Sequence, residues 1–153
     1  MPQLFNDYQW FPAAPATLQI LEVGAELPVH ASALGKSILA FAPGEMVEDL
    51  LAEAPDKLTS RTLTPAALRK ELTGARESGI ARERDEAVLG ESSVAGAIFD
   101  HSAHAVGSIG VVGDTERILP RGPARGISGA VVGAARGVSR ELGARRWPAP
   151  PIA

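Results

Sequence analysis

Four groups of residues in this chain have types and spacing that could do chemistry. The stretch Ala33-Leu34-Gly35-Lys36-Ser37 has the Gly-Lys-Ser ending of a phosphate-binding loop. Such a loop curls backbone N–H groups around phosphates and needs a glycine five residues before the Gly-Lys pair. His30 stands there instead, so Gly35 and Lys36 read as the first turns of a helix, where small residues permit close packing. His101 and His104 form His-x-x-His, a metal spacing on a helix. Here they sit in a turn, with no cysteine and no glutamate at zincin spacing, so they read as solvated and no metal is expected. Ser92, Ser93, His30 and Asp100 are the raw material of a nucleophilic triad, yet Gly-x-Ser-x-Gly is absent. No catalytic residue is assigned. The run Arg82-Glu83-Arg84-Asp85-Glu86 is either a solvated strand end or the polar mouth of a ligand cavity, and spacing alone does not separate the two.

The elements that must position these residues follow from periodicity. Leu34, Ser37, Ile38 and Phe41 fall at helical spacing, ended by Pro43-Gly44. Met46, Val47, Leu50 and Leu51 share one face of a second helix, closed by Pro55. Thr64-Pro65 is a hydroxyl N-cap with proline at the first helical position; Leu68, Leu72 and Ala75 continue the stripe, and Gly79 ends it as a left-handed cap. Extended segments are expected at 80–84, 93–99 and 105–112, the last two joined by a hairpin turn at 100–104. A closing helix after Pro123 carries Ile127, Val131, Ala134, Val138 and Leu142 and stops at Gly143. Gly129, Gly133 and Gly137 recur on a neighbouring face, spaced to allow close approach of the sheet or a partner helix. A short β-prone run, Leu18 to Val23, follows an irregular arm rich in proline and aromatic residues. The order predicts an α+β fold, a mostly antiparallel sheet with helices packed on its faces.

Composition bounds the function. The 153 residues suffice for one domain with a real core. Fifteen basic against eighteen acidic residues give a net charge of −3, no basis for the phosphate neutralisation that drives DNA binding. The late arginines are interrupted by Glu116 and Glu141 and read as a solvated helix face. The absence of cysteine excludes disulfides and thiolate metal sites. No apolar run reaches the ~20 residues a bilayer span needs, and the N-terminus lacks the basic and apolar regions of a secretory signal. A cytoplasmic protein is expected.

Several motifs together resemble a known family. Leu27-Pro28-Val29-His30-Ala31-Ser32-Ala33-Leu34-Gly35-Lys36-Ser37-Ile38-Leu39-Ala40 is similar to the opening of the effector-binding domain of IclR-type transcriptional regulators. Arg61-Thr62-Leu63-Thr64 with Leu68 resembles that domain's next helix start. Gly79, Glu86, Ser93-Val94-Ala95 and Ile98-Phe99-Asp100 resemble its pattern in order and spacing, as do Val106 to Gly113 and Ile127 to Gly143. The resemblance implies a GAF-like domain over residues 18–146, between an N-terminal arm (1–17) and a flexible tail (147–153). It implies a small-molecule effector, an organic or aromatic acid, no cofactor, and a homodimer or tetramer. Carried over by position, the pocket is lined by Ala33, Leu34, Glu83, Ser93, Gly110 and Val112. Backbone N–H groups opening the Ser32 helix would receive a carboxylate, Ser93 would donate, and Gly110 and Val112 would share one sheet face. Lys36 and Arg84 are expected to face solvent.

The departures sharpen this. Glu83 replaces the family's usual Asp or Ser, and Ala97 a frequent proline. Gly110 and Val112 replace polar pocket residues of some relatives, which implies a wider, more apolar floor and a larger or more hydrophobic acid. Only about two dozen residues precede Leu27, so the family's winged helix-turn-helix is expected to be missing and this chain alone is not expected to bind DNA. It would then act through oligomerisation or a full-length regulator, with an exposed sheet edge inviting a partner strand. Two other classes stay open: a small hydrolase-like enzyme using the same pocket, and a partner that heterodimerises with full-length regulators and blocks them.

Overall fold

The structure, a computed structural model, describes residues 24–121 and 125–149. The arm at 1–17 and the run from Leu18 to Val23 lie outside the described residues.

Three helices come first. Helix α1 (Ala33–Leu39) begins at Ser32, whose Oγ accepts from the Gly35 N–H at 3.1 Å. Helix α2 spans Gly44–Ala52. Helix α3 (Pro65–Ser78) has the expected cap, Thr64 Oγ1 accepting from the Ala67 N–H at 3.3 Å, and proline in its first turn. It ends at Gly79 with φ 76°, a left-handed conformation that glycine adopts without steric cost. The strands follow: β1 (Ile80–Arg84), β2 (Glu91–Phe99) and β3 (Ala105–Asp114), antiparallel in the order β1-β2-β3. Asp100 Oδ1 shapes the last turn by accepting from the N–H groups of Ser102 and His104, and both His101 and His104 are exposed there. A single turn, α4 (Thr115–Ile118), and the long α5 (Arg125–Glu141) complete the order.

Both faces of the sheet are covered. α1 lies on one face, with α2 and α3 outside it around Leu39, Leu50, Leu51, Leu68 and Leu72. α5 covers the other, packing Val131 with Ile80, Val94 and Ile118. Burying leucines such as Leu68 and Leu72 is worth about 1.5–3 kcal/mol each.

Three apolar stripes read from spacing are corrected. In α1 the buried residues are Ala33, Gly35, Lys36, Ser37 and Leu39, while Leu34 and Ile38 are only half-buried. The helix sits between the sheet and α3, so it has no single solvent face for periodicity to reveal. In α2 Leu50 and Leu51 are buried but Met46 is exposed. In α5 the inward stripe is Val131, Ala135 and Ser139, whereas Ala134, Val138 and Leu142 are exposed. Ser139 turns inward because its Oγ accepts from the Phe99 N–H at 3.0 Å and donates to Ala135 O. The glycines at 129, 133 and 137 have open space where a side chain would project, so they do not serve contact with the sheet. Packing also continues past Arg146: the Trp147 ring lies over Gly79 and Gly96, its Nε1 donates to Ala97 O at 2.8 Å, and Ala149 is buried beside Phe99.

Candidate functional site

The strand register assembles the polar centre. Glu83 pairs with Ser93, and Ser93 with Val112; two residues along, Ala81 pairs with Ala95, and Ala95 with Gly110. Residues opposite one another across a sheet share a face, so Glu83, Ser93, Gly110 and Val112 all belong to the face that α1 covers. The Ala33 N–H, at the start of α1, donates to Ser93 Oγ at 3.2 Å. Ser93 Oγ donates to Glu83 Oε2 at 2.9 Å. Glu83 Oε1 accepts from the N–H groups of Glu86 at 2.7 Å and Ala87 at 3.4 Å. One buried carboxylate thus ties together the helix start, two strands and the loop after β1.

A second buried carboxylate lies beside it. Lys36 Nζ donates to Glu86 Oε1 and Oε2 at 2.9 and 3.0 Å, with Glu71 Oε1 at 3.9 Å. The Lys36 side chain is fully removed from solvent, which corrects the expectation that it faces water. Its small neighbours allow this: a Cβ on Gly35 would lie 2.5 Å from the Val29 backbone, so the helix runs directly against the preceding turn. Burial pushes the Glu83 carboxyl above the ordinary glutamate range, opposed by hydrogen bonds from the Glu86 N–H and the Ser93 hydroxyl. Burial raises Glu86 as well, with the Lys36 charge pulling the other way.

The loop between β1 and β2 is held by further side chains. Thr62 Oγ1 donates to Glu86 O at 2.8 Å and Thr59 Oγ1 to Asp85 O at 2.6 Å. Asp85 Oδ1 accepts from Gly90 N–H and Thr115 Oγ1, both at 2.8 Å, and these bonds hold its carboxyl below the usual aspartate range. The charge run therefore divides by strand alternation. Glu83 turns inward while Arg82 and Arg84 are exposed, as expected for Arg84, whose guanidinium donates to Leu119 O.

Of the six sequence-predicted residues, Ala33, Glu83 and Ser93 are in direct hydrogen-bonded contact. Val112, half-buried, lies across from Ser93, and Gly110 is exposed two pairs further on. Leu34 is half-buried at the start of α1. Two expectations about their roles change. The Ala33 and Gly35 N–H groups are spent on Ser93 and Ser32, which leaves the Leu34 N–H of the helix opening to receive an anion. A Cβ on Gly110 would lie 2.6 Å from Val94 O and 2.8 Å from Ala95 Cβ; glycine there permits strand contact rather than widening a floor. Sequence reasoning missed Lys36 and Glu86 as the charged pair behind the site, although Glu86 stood in the recognised pattern.

Other chemistry is not built here. Ser93 has a carboxylate as its partner, and His30 Nε2 is bonded to Asp56 O at 2.9 Å. Among the described residues there is no group of three or more His, Cys, Asp or Glu side chains able to hold a metal, and no helix long and apolar enough to cross a membrane. A cleft of about 220 Å³ opens between α2 and α3, lined by Val47, Glu48, Arg69 and Leu72 among others. None of the six predicted residues borders it.

Comparison with known proteins agrees with the fold and the motifs. The family model described as bacterial transcriptional regulator IclR C-terminal matches residues 10–140. The chain is 42% identical over 131 residues to the glycerol operon regulatory protein of Streptomyces griseus, covering 84% of this chain and 51% of that protein. It is 37% identical over 131 residues to the protein of that name from Streptomyces coelicolor, with the same coverage. The chain thus spans about half the length of the curated relatives it matches. Among solved structures, an IclR transcriptional regulator from Silicibacter superposes with a TM-score of 0.79 at 28% identity, over 88% of this chain and 54% of that one. The Thermotoga maritima IclR superposes with a TM-score of 0.73 at 28% identity, over 84% and 52%. These relatives are regulators of transcription, not enzymes. The chain belongs to the IclR family of bacterial transcriptional regulators, and its α+β fold is that family's GAF-like C-terminal domain.

Proposed function

We propose that this domain senses a small-molecule effector at the Glu83–Ser93 centre and controls transcription through its conformation or assembly. The observation that carries the reading is the relay from the Ala33 N–H through Ser93 Oγ to Glu83. It couples the start of α1 to two strands and, through the Glu86 and Ala87 amides, to the loop beyond. A molecule resting on Val112 and Gly110 beside Ser93 would bear on all of them. An effector shifts such an equilibrium only by binding one arrangement more tightly than the other. The family and the names of the Streptomyces relatives support a regulator acting in the cytoplasm on a glycerol-type operon. The domain works as a homodimer or tetramer, or with a full-length regulator of the same family.

Native mass spectrometry of the purified protein tests both parts. A retained small molecule, absent from a Val112→Phe variant that fills the Ser93 side of the face, together with a dimer or tetramer, is expected. A ligand-free monomer that takes up nothing from a bacterial metabolite extract contradicts the reading.

A further inference from the structure

We infer that the cleft between α2 and α3 is a second small-molecule site, separate from the Glu83–Ser93 centre, and that it takes a small monocarboxylate with an apolar body.

The cleft holds about 220 Å³. At ~30 Å³ per water in the liquid, that is the space of about seven waters, enough for one ring or a short chain. Its floor is apolar: Leu39, Ala40 and Leu72 line it and are buried, with Val47 half-buried beside them. Charged side chains stand on the walls. Gly44 and Glu48, one turn apart, line it from α2, and Arg69, Thr73 and Arg76 line it from α3.

The two arginines are in different positions. Arg69 donates through both Nη atoms to the two oxygens of Glu48, and that pair neutralises itself. Arg76, half-buried, has no acidic side chain within ion-pair distance among the described residues. Its Nε donates to Ala40 O at 2.6 Å, and its Nη2 lies 3.5 Å from Ala42 O. A guanidinium carries five N–H groups, so both on Nη1 and one on Nη2 stay unspent among the described residues. Gly44 stands one turn before Glu48 with open space where a side chain would project, so α2 offers no second carboxylate from that position. Glu45, next along α2, is exposed and does not line the cleft.

Charge then selects the ligand. Arg69, Arg76 and Glu48 leave the lining with one net positive charge. A monoanion balances it, and a carboxylate matches the planar guanidinium in shape as well as charge. A second negative charge on the ligand would find no free cation and would approach Glu48. An uncharged ligand leaves Arg76 uncompensated, and a cation adds to it. The apolar floor needs an apolar body, which a bare inorganic anion lacks. Arg76 also bonds the carbonyl that caps α1, so a ligand here touches the end of the helix whose start is bonded to Ser93.

Isothermal titration with benzoate, and with benzyl alcohol as its uncharged counterpart, tests this. Benzoate should bind the wild type saturably, and binding should survive Val112→Phe, which obstructs the other centre. In that Val112→Phe background, Gly44→Glu supplies a carboxylate for Arg76 from within the chain, and its Cβ meets no atom. It should weaken benzoate at least about tenfold, as should Arg76→Gln, because each removes a charge-assisted bond to the ligand. Gly44→Ala, which adds bulk without charge, should bind as before. Benzyl alcohol should bind at least about tenfold more weakly than benzoate. Benzoate binding that Val112→Phe abolishes, or that Gly44→Glu leaves unchanged, overturns the site. Benzyl alcohol binding as tightly as benzoate overturns the acid class. Absence of saturable benzoate binding overturns the inference as a whole.

Discussion

Lys36 and Glu86, fifty residues apart, meet as a buried ion pair with Nζ at 2.9 and 3.0 Å from the two carboxylate oxygens. The pair pins the middle of α1 to the loop after β1, directly behind Glu83. Removing one member of a buried pair strands the other charge, at a cost of about 3–5 kcal/mol. Lys36→Met should lose that much in urea unfolding, and the double variant Lys36→Met/Glu86→Leu should recover most of it. A single variant as stable as the wild type would show that the pair holds nothing.

Two glycine-to-alanine changes should have opposite signs. At Gly35 the new Cβ meets the Val29 backbone at 2.5 Å, and overpacking of this kind costs about 1–3 kcal/mol. At Gly133, inside α5, the Cβ meets open space and gains helix propensity of about 1 kcal/mol. Denaturant midpoints of the two variants should move to either side of the wild type; a fall for both would mean that the exposed α5 face is in contact with something.

Trp147 closes the sheet from beyond the last helix, its ring over Gly79 and Gly96 and its Nε1 bonded to Ala97 O. Trp147→Ala should destabilise by about 3–5 kcal/mol, and a chain ended at Arg146 should unfold at a similarly lowered midpoint. An unchanged midpoint for the shortened chain would show that this packing contributes nothing.

The pH dependence has a definite sign. Burial raises the Glu83 carboxyl above its ordinary range, so across that window the folded protein binds protons more tightly than the unfolded chain. Stability then falls as pH rises from the ordinary glutamate range through the raised value. Glu83→Gln lacks this contribution. Wild-type stability minus that of Glu83→Gln, followed by thermal unfolding across a pH series, should decline through the window, and a difference that rises there would contradict the raised titration of this buried carboxyl.

How much of this was legible in the residues differs by element. The three strands and α3 with its Thr64 and Gly79 caps could be read because alternation and cap chemistry are local signals. The positions of Ala33, Glu83 and Ser93 came from motif resemblance, and register then brought them into contact. Lys36 was misread because a lysine is rarely fully buried; its burial depends on Glu86, a partner that only tertiary structure supplies. The α5 stripe was misread because Ser139 points inward to satisfy the Phe99 N–H, a reason that hydrophobic periodicity does not contain.

The central claim is that a small molecule is sensed where α1, β1 and β2 meet. Amide hydrogen exchange with and without a saturating bacterial metabolite extract, the same source offered in native mass spectrometry, tests it most directly. The account predicts slowed exchange at Ala33, Glu86 and Ala87, whose amides feed the Ser93–Glu83 relay, independent of any change around Val47 and Thr73 in the α2–α3 cleft. Protection confined to that cleft, or none at all, would contradict it.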